Sequence, residues 1–146
     1  MNESGTRRRL RVEKMGTIAY GPMLELQKSR HSEVKNTEAD DTLFLLEHPS
    51  VITRGRNAND EHILATSEQL AEASVELFDI GRGGDVTFHG PGQVVGYPIM
   101  HLQDNERDVR RYVTSLEEIL IRTAADFGVH AMRVDGLRGI WVEDAK

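Results

Sequence analysis

The order of apolar and polar positions predicts a mixed α/β fold. Leu10 to Met15 alternate between apolar and charged residues, as in a half-exposed strand. Pro22 suits the first turn of a helix, whose apolar face runs to Val34 and which ends in the polar residues 35–37. Thr42 to Glu47 is a short, nearly continuous apolar run, which favours a strand covered on both faces. The chain is therefore predicted to begin strand, helix, strand.

Further short elements are predicted in the middle of the chain. His48-Pro49 ends the preceding strand, because proline has no N–H to donate to the ladder. Val51–Arg54 and Val75–Ile80 have the residue types of strands. Between them, Ser67 is expected to cap a short helix that runs to Ala73.

A long helix and two strands are predicted toward the C-terminus. Apolar residues fall at helical spacing from Val109 to Phe127, a stripe that we interpret as core packing; Gly128 ends the helix and Asp104-Asn105 offers a cap. Residues 129–134 and 139–142 are strand-like, with a turn at Asp135-Gly136. A strand centred on Trp141 needs a pairing partner, so we expect a fold that is incomplete at its C-terminus.

Composition narrows the class of protein. With 146 residues, 38% of them hydrophobic, and a net charge of -6, the chain fits one soluble domain without a general polyanion-binding surface. The basic cluster at Arg7–Arg11 has no aromatic platform beside it, so no nucleic-acid partner is predicted. Met1 to Val12 has no apolar signal-peptide centre and no run is long enough to span a bilayer, so we predict no membrane partner and a cytoplasmic location.

The absence of cysteine limits the chemistry. The chain has no cysteine, which excludes disulfides, cysteine-based zinc sites and a thiol nucleophile within these residues. Histidines are scattered, and no pair has metal-ligand spacing with a carboxylate companion. We therefore predict no metal site.

The stretch from Gly81 to Gln93 carries the strongest functional signal. Six of its thirteen residues are Gly or Pro, which lets backbone N–H groups approach a ligand closely. Val86–Phe88 is extended, Gly90-Pro91-Gly92 is a tight reversal, and a largely apolar strand follows. This order predicts a β-hairpin with Thr87 and His89 at its mouth, a suitable place for a binding site. The stretch is neither a P-loop nor a dinucleotide fingerprint.

Single side chains near this stretch leave alternatives open. Arg82 either contacts a ligand or pairs with Asp79 or Asp85 and braces the loop. His48 either lines a pocket or caps the turn that follows it. A lone histidine is most often structural, but the setting of His89 between Thr87 and the Gly-Pro-Gly reversal favours a residue that lines a site.

This stretch resembles the signature of lipoyl(octanoyl) transferases, the lipoate-protein ligase B family, which carry R-G-G-x-x-T-x-H-G-P-G-Q. Other segments resemble the family in the same order: Leu45–Pro49, Val51–Arg56, the helix from near Asp108, and Gly139–Val142 with Lys146 after it. The resemblance covers about Leu10 to the last residue. It implies the mixed-sheet α/β fold of lipoate and biotin protein ligase catalytic domains. Residues 1–9 are then a frayed basic tail, and 10–146 the N-terminal part of a single catalytic domain.

The resemblance also implies a reaction. Family members move an octanoyl group from octanoyl-acyl carrier protein, through an acyl-cysteine, to a lysine of lipoyl domains in 2-oxoacid dehydrogenases and the glycine cleavage H protein. It implies no bound cofactor. Lys146 falls at the position of the family's catalytic lysine, which lowers the pKa of the cysteine. The family's acyl-substrate-binding stretch corresponds to Arg82, Gly83, Gly84, Asp85, Val86, Thr87, Phe88 and His89. The nearest candidates for an apolar acyl tunnel are Val86, Phe88, Val94 and Tyr97.

Two other functions stay open. One is a lipoate or biotin ligase relative that activates its acid with ATP. The other is an inactive acyl-binding or docking remnant, which the missing cysteine favours. We expect the 146 residues alone to have no acyl-transfer activity.

Overall fold

A computed structural model describes residues 9–102 and 108–146. Most of the expected basic tail and the expected cap at Asp104-Asn105 lie outside the described residues. The chain divides into two compact units, Met1–His101 and Leu102–Lys146. The helices and strands are β1 Leu10–Thr17, α1 Tyr20–Lys35, β2 Asp41–Glu47, β3 Val51–Arg54, α2 Ser67–Glu72, β4 Glu76–Asp79, β5 Val86–His89, β6 Val95–Ile99 and α3 Val109–Asp126.

β2 is the central strand of the first sheet. β1 pairs with it in parallel and β6 pairs antiparallel on the other side. Phe44 and Leu46 of β2 are buried with Met23 of α1 and Val95 of β6, and together they form the core of this unit. Full burial of such a side chain is worth about 1.5–3 kcal/mol. The prediction of a covered strand at Thr42–Glu47 is confirmed.

β3 is the central strand of the second sheet, between β4 and β5. It runs parallel to β4 and antiparallel to β5, with Thr53 opposite Thr87 and Val51 opposite His89. Val51 and Thr53 are buried, whereas the residues that alternate with them are half-buried. Since paired residues of neighbouring strands share a face, Thr87 and His89 lie on the buried side of this sheet.

The predicted hairpin between β5 and β6 is wrong, although its turn is right. The Gln93 N–H donates to the Gly90 carbonyl at 3.1 Å, and Gly92 has a φ of +84°, as a Pro-Gly turn requires. The turn connects two sheets, because β5 pairs with β3 and β6 pairs with β2. The Gly92 N–H donates to Glu47 Oε2 at 2.8 Å, which fixes the turn beside the point where β2 ends.

The two predicted helices of the first unit are present. α1 has Pro22 in its first turn, as expected, and buries Tyr20, Met23 and Val34. The cap of α2 is Thr66, so the prediction of Ser67 is wrong by one residue. Thr66 and Gln69 form a reciprocal capping box: the Gln69 N–H donates to the Thr66 hydroxyl, and the Thr66 N–H donates to the Gln69 side chain.

The second unit is built on α3. The Asp108 carboxylate accepts from the backbone N–H groups of Arg110 and Arg111 and caps the helix. Gly128, with a φ of +77°, follows its end as predicted. The prediction that the apolar stripe packs in a core is wrong for several of its members, which are exposed: Val109, Ile119, Leu120 and Phe127. The buried side chain of α3 is Glu117.

The segment after α3 is held by Glu117 and by two isolated bridges. The two predicted strands are reduced to isolated bridges, Met132 with Trp141 and Val142 with Ala145. Glu117 Oε1 accepts from the Gly139 N–H at 2.9 Å, and Oε2 accepts from Arg133 Nε at 3.3 Å. A buried carboxylate therefore ties this segment to the helix.

Candidate functional site

Arg82 holds the glycine loop against two strands. Its Nη2 donates to Thr87 Oγ1 at 2.7 Å and to both the hydroxyl and the carbonyl oxygen of Thr53 at 3.2 Å. Its Nη1 donates to the Gly83 carbonyl at 3.0 Å. The guanidinium fork reaches several acceptors at once because its donors are fixed in one plane. Arg82 therefore braces the loop, as one of the two interpretations of the sequence had it.

The partners predicted for this brace are wrong. The Asp79 carboxylate binds Arg54 in a bidentate pair, with both N···O distances 2.7 Å. Asp85 accepts from the Asn59 N–H at 3.0 Å and contacts His62 Nδ1. These bonds lower the pKa of Asp85, the Asn59 N–H having the larger effect. Asp85 thus ties the 59–62 turn to the glycine loop.

The loop also pairs through its backbone with the end of β3. The carbonyl groups of Asp85, Arg82 and Gly84 accept from the N–H groups of Gly55, Arg56 and Asn57 at 3.0, 3.0 and 3.1 Å respectively. A Cβ atom at Gly55 would lie 2.4 Å from the Gly84 oxygen. Glycine is required at 55 for this close approach of two backbones.

Gly55→Ala is therefore expected to push the loop away and lower the free energy of unfolding by about 1–3 kcal/mol. Gly83→Ala is the matched control, since a Cβ atom there would meet nothing within 4 Å, and its cost should stay below about 1 kcal/mol. Urea denaturation of the three proteins measures the difference. Equal costs for the two variants would contradict the close packing of loop and strand.

His89 lies on the face of β5 that it shares with Thr87. Its Nδ1 is 2.6 Å from Gln93 Oε1, so the reversal brings Gln93 back to the histidine. The ring is half-buried, with its centroid 5.8 Å from that of His48. The structure thus brings Arg82, Thr87 and His89 together, three of the residues predicted to bind substrate.

His48 lies in the core next to His89. It is fully buried, with Nδ1 2.7 Å from the Ile18 carbonyl oxygen and Nε2 2.9 Å from the Tyr97 hydroxyl. A carbonyl only accepts, so Nδ1 carries the proton and the Tyr97 hydroxyl donates to Nε2. Neither alternative predicted for His48 is right, because it neither caps the turn nor lines an open pocket: it is a core residue with both nitrogens bonded.

Two tyrosines pack against His48 and stay protonated. The rings of Tyr20 and Tyr97 lie 5.3 and 5.9 Å from that of His48. Burial, with Tyr20 beside it, raises the pKa of Tyr97 to about 12. Burial also raises the pKa of Tyr20, and the positive charge of Arg82 opposes this. The sequence did not single out Tyr20, since an aromatic residue at a helix start resembles ordinary core packing.

The four candidates for an acyl tunnel do not lie together. Val86 and Phe88 line a cavity of about 170 Å³ with Ile52, Ile63 and Leu64. Val94 lines a different depression beside Lys14 and Leu45, and the hydroxyl of Tyr97 points to His48. His62 and Thr87 also line this cavity, which is smaller than the roughly 300–1,000 Å³ typical of ligand pockets.

Lys146 lies in the second unit, with its side chain across Gly139. A Cβ atom at Gly139 would be 2.7 Å from Lys146 Cε, and Gly139 has a φ of +99°. The positive φ favours glycine at this position, whereas the lysine side chain can move aside. The N–H of the same glycine donates to Glu117, so the buried carboxylate also holds the surface on which Lys146 rests.

The described residues contain neither a metal-binding cluster nor a membrane-spanning helix. Within 9–102 and 108–146, no three His, Asp or Glu side chains are placed to hold a metal ion. In the same part of the chain, no helix is both long and apolar enough to cross a membrane.

Comparison with known proteins assigns a family. Residues 19–146 match the lipoyl protein ligase A/B catalytic domain. The chain is 47% identical to an octanoyltransferase of Solibacter usitatus, over 92% of this chain and 61% of that protein. It is 44% identical to an octanoyltransferase of Chloroflexus aurantiacus, over 94% of this chain and 61% of that protein. The chain thus spans about three fifths of the length of these curated relatives.

Solved structures confirm the predicted fold. A bipartite lipoate protein ligase from Thermoplasma acidophilum superimposes with a TM-score of 0.66 at 14% identity, over 88% of this chain and 49% of that one. Lipoate-protein ligase A bound with ATP gives a TM-score of 0.65 at 12% identity, over 94% and 57%. At these identities the likeness shows the fold alone.

Proposed function

The chain belongs to the lipoyl protein ligase A/B catalytic domain family, and from this we propose that it takes part in octanoyl transfer to a lysine of lipoyl domains. The observation that carries the proposal is the 47% identity with an octanoyltransferase over 92% of the chain. The acceptors are the lipoyl domains of 2-oxoacid dehydrogenases and the glycine cleavage H protein. In this proposal, residues 10–146 are part of one catalytic domain.

The proposed donor is octanoyl-acyl carrier protein, and the octanoyl group passes through an acyl-cysteine. A thiol and a thioester exchange at similar energy, so the first transfer is close to balanced before the amine attacks. The chain has no cysteine, so the thiol comes from outside these 146 residues. Lys146 is the proposed catalytic cation, because an ammonium group favours the thiolate and lowers the pKa of a thiol from about 8.5.

We assign substrate binding to the segment from Arg82 to His89. Its backbone N–H groups, with Gly83 and Gly84 bare of side chains, are the proposed donors to the oxygen of the reacting thioester. Arg82 and Asp85 act by fixing the loop, since their bonds run to Thr53, Thr87, Asn59 and His62. Val86 and Phe88 offer apolar surface, while Thr87 and His89 occupy the opposite face of β5.

The test fuses this chain to the remaining C-terminal part of the Solibacter usitatus octanoyltransferase. We expect the fusion to move octanoyl groups from octanoyl-acyl carrier protein to a lipoyl domain without ATP, measured by the mass of the lipoyl domain. The 146 residues alone should give no transfer above background. Lys146→Ala should lower the rate of the fusion about 10²–10³-fold, the usual loss when one group that stabilises a reacting charge is removed. Lys28→Ala, which removes an exposed lysine on α1, should not change it.

Each contrary result would support a different function or mechanism. Transfer that requires ATP and free octanoate would identify an acid-activating ligase. A folded fusion that binds octanoyl-acyl carrier protein but never releases the octanoyl group to the lipoyl domain would identify a docking remnant. Transfer by the 146 residues alone would remove the acyl-cysteine from the mechanism.

A further inference from the structure

The tautomer of His89 is set by a residue four positions later. His89 Nδ1 lies 2.6 Å from Gln93 Oε1. An amide oxygen only accepts a hydrogen bond, so Nδ1 carries the proton. In the neutral imidazole, Nε2 then carries the lone pair.

The turn that places Gln93 is fixed on both sides. The Gln93 N–H closes the turn on the Gly90 carbonyl at 3.1 Å, and the Gly92 N–H binds Glu47 at 2.8 Å. Gly92, between these two bonds, has a φ of +84°, which glycine adopts without strain. Gln93 therefore reaches His89 from a constrained backbone.

His48, on the other side of His89, forms no hydrogen bond that would compete with Gln93. The His48 ring is tilted by 56° to that of His89 at 5.8 Å, and both His48 nitrogens are bonded to Ile18 and Tyr97. Since His48 packs against His89 without a hydrogen bond, the choice of tautomer falls to Gln93.

We propose that Gln93 is a positioning residue, which fixes His89 with Nδ1 protonated and leaves Nε2 to accept a proton from an N–H group of the substrate. The inference rests on the proposed function, in which that group is the amine of the acceptor lysine. As the amine attacks the thioester, the C–N bond forms and the C–S bond breaks. The electron pair leaves with the sulfur, and the proton of the amine passes to Nε2. A His89 with its proton on Nε2 would present a donor instead and could not take that proton.

The test is ¹⁵N NMR of the imidazole nitrogens in the 146-residue chain, above the usual histidine pKa of about 6.5. In the unmodified chain, we expect His89 Nδ1 to be protonated and Nε2 to be bare. Gln93→Leu should move the proton to Nε2 in a large part of the population, with an exchange of the two nitrogen signatures. Gln93→Glu keeps an acceptor oxygen and should restore the Nδ1–H form.

Three outcomes would overturn the inference: an Nε2–H tautomer in the unmodified chain, an unchanged tautomer in Gln93→Leu, or a Gln93→Glu variant that behaves like Gln93→Leu. The first would mean that the Gln93 amide donates to the ring. Because the unmodified chain already reports the tautomer, the test does not depend on either variant folding. It also needs no acyl transfer, so its failure is distinct from a failure of the proposed function.

Discussion

Replacing Glu117 by leucine is expected to lower the free energy of unfolding by about 2–4 kcal/mol. Glu117 is 5% exposed and accepts from both the Gly139 N–H and Arg133. Leucine fits the space but leaves the Gly139 N–H without its acceptor. Arg133 keeps bonds to Glu118 and the Thr114 carbonyl, so the loss stays below that of a fully stranded buried charge.

Two variants distinguish the loss of the acceptor for the Gly139 N–H from a general effect of removing a charge. Glu117→Gln keeps an acceptor for Gly139 and should cost about 1 kcal/mol, the value of an ordinary hydrogen bond. Glu118→Gln changes the neighbouring carboxylate, whose ion pairs with Arg122 and Arg133 lie near the surface, and should cost less than Glu117→Leu. Urea denaturation followed by Trp141 fluorescence suits the measurement, since Trp141 is the only tryptophan and lies on the tied segment. A Glu117→Leu variant no less stable than Glu118→Gln would refute the anchoring role.

The hydrogen bond from the Gly139 N–H to Glu117 also matters for the proposed acyl transfer. The side chain of Lys146 rests across Gly139, whose N–H is the one that Glu117 holds. Loosening this segment removes the support that places the ammonium group. In the fusion assay, we therefore expect Glu117→Leu to slow transfer, while Glu118→Gln leaves it unchanged.

Local patterns in the sequence predicted the elements of the first unit better than the pairing of its strands. The apolar run at Thr42–Glu47 and the Pro-Gly turn at 90–93 are local properties, and both are confirmed. The hairpin failed because pairing is decided over longer distances: β5 joins β3 across the second sheet, and β6 joins β2 across the first. A turn with the right chemistry can therefore link strands that never pair.

The same limit applies to side chains. Proximity in sequence suggests Asp79 or Asp85 as partners of Arg82, but those carboxylates bind Arg54 and His62. The hydroxyl partners of Arg82 are Thr87, five residues away, and Thr53, 29 residues away. Glu117 sits in an apolar stripe where a carboxylate has no evident use, and Gly139, 22 residues later, supplies the reason. The glycine loop, in contrast, was recognisable because its residue types have little use in packing.

Replacing His48 by phenylalanine is expected to lower the free energy of unfolding by about 2–6 kcal/mol at pH 7.5. The ring fits, but the Ile18 carbonyl and the Tyr97 hydroxyl lose their partners. Each buried polar group left unpaired costs about 1–3 kcal/mol. His31→Phe changes an exposed histidine of α1 and should stay within about 0.5 kcal/mol. Urea denaturation of the three proteins decides the point, and a small loss in His48→Phe would show that the two groups find other partners.

The cost of this substitution should shrink in acid. Burial lowers the pKa of His48, the Ile18 bond opposes this, and the nearby His89 adds to it. An unfolded histidine has a pKa of about 6.5, so below that pH the unfolded chain binds a proton that folded His48 does not. The contribution of His48 is therefore complete above about pH 6.5 and falls by up to about 1.4 kcal/mol per pH unit until its folded pKa is reached. His48→Phe lacks this loss, so the difference in free energy of unfolding between the two proteins should shrink from pH 7.5 to pH 5. A constant difference would mean that His48 can be protonated in the folded protein.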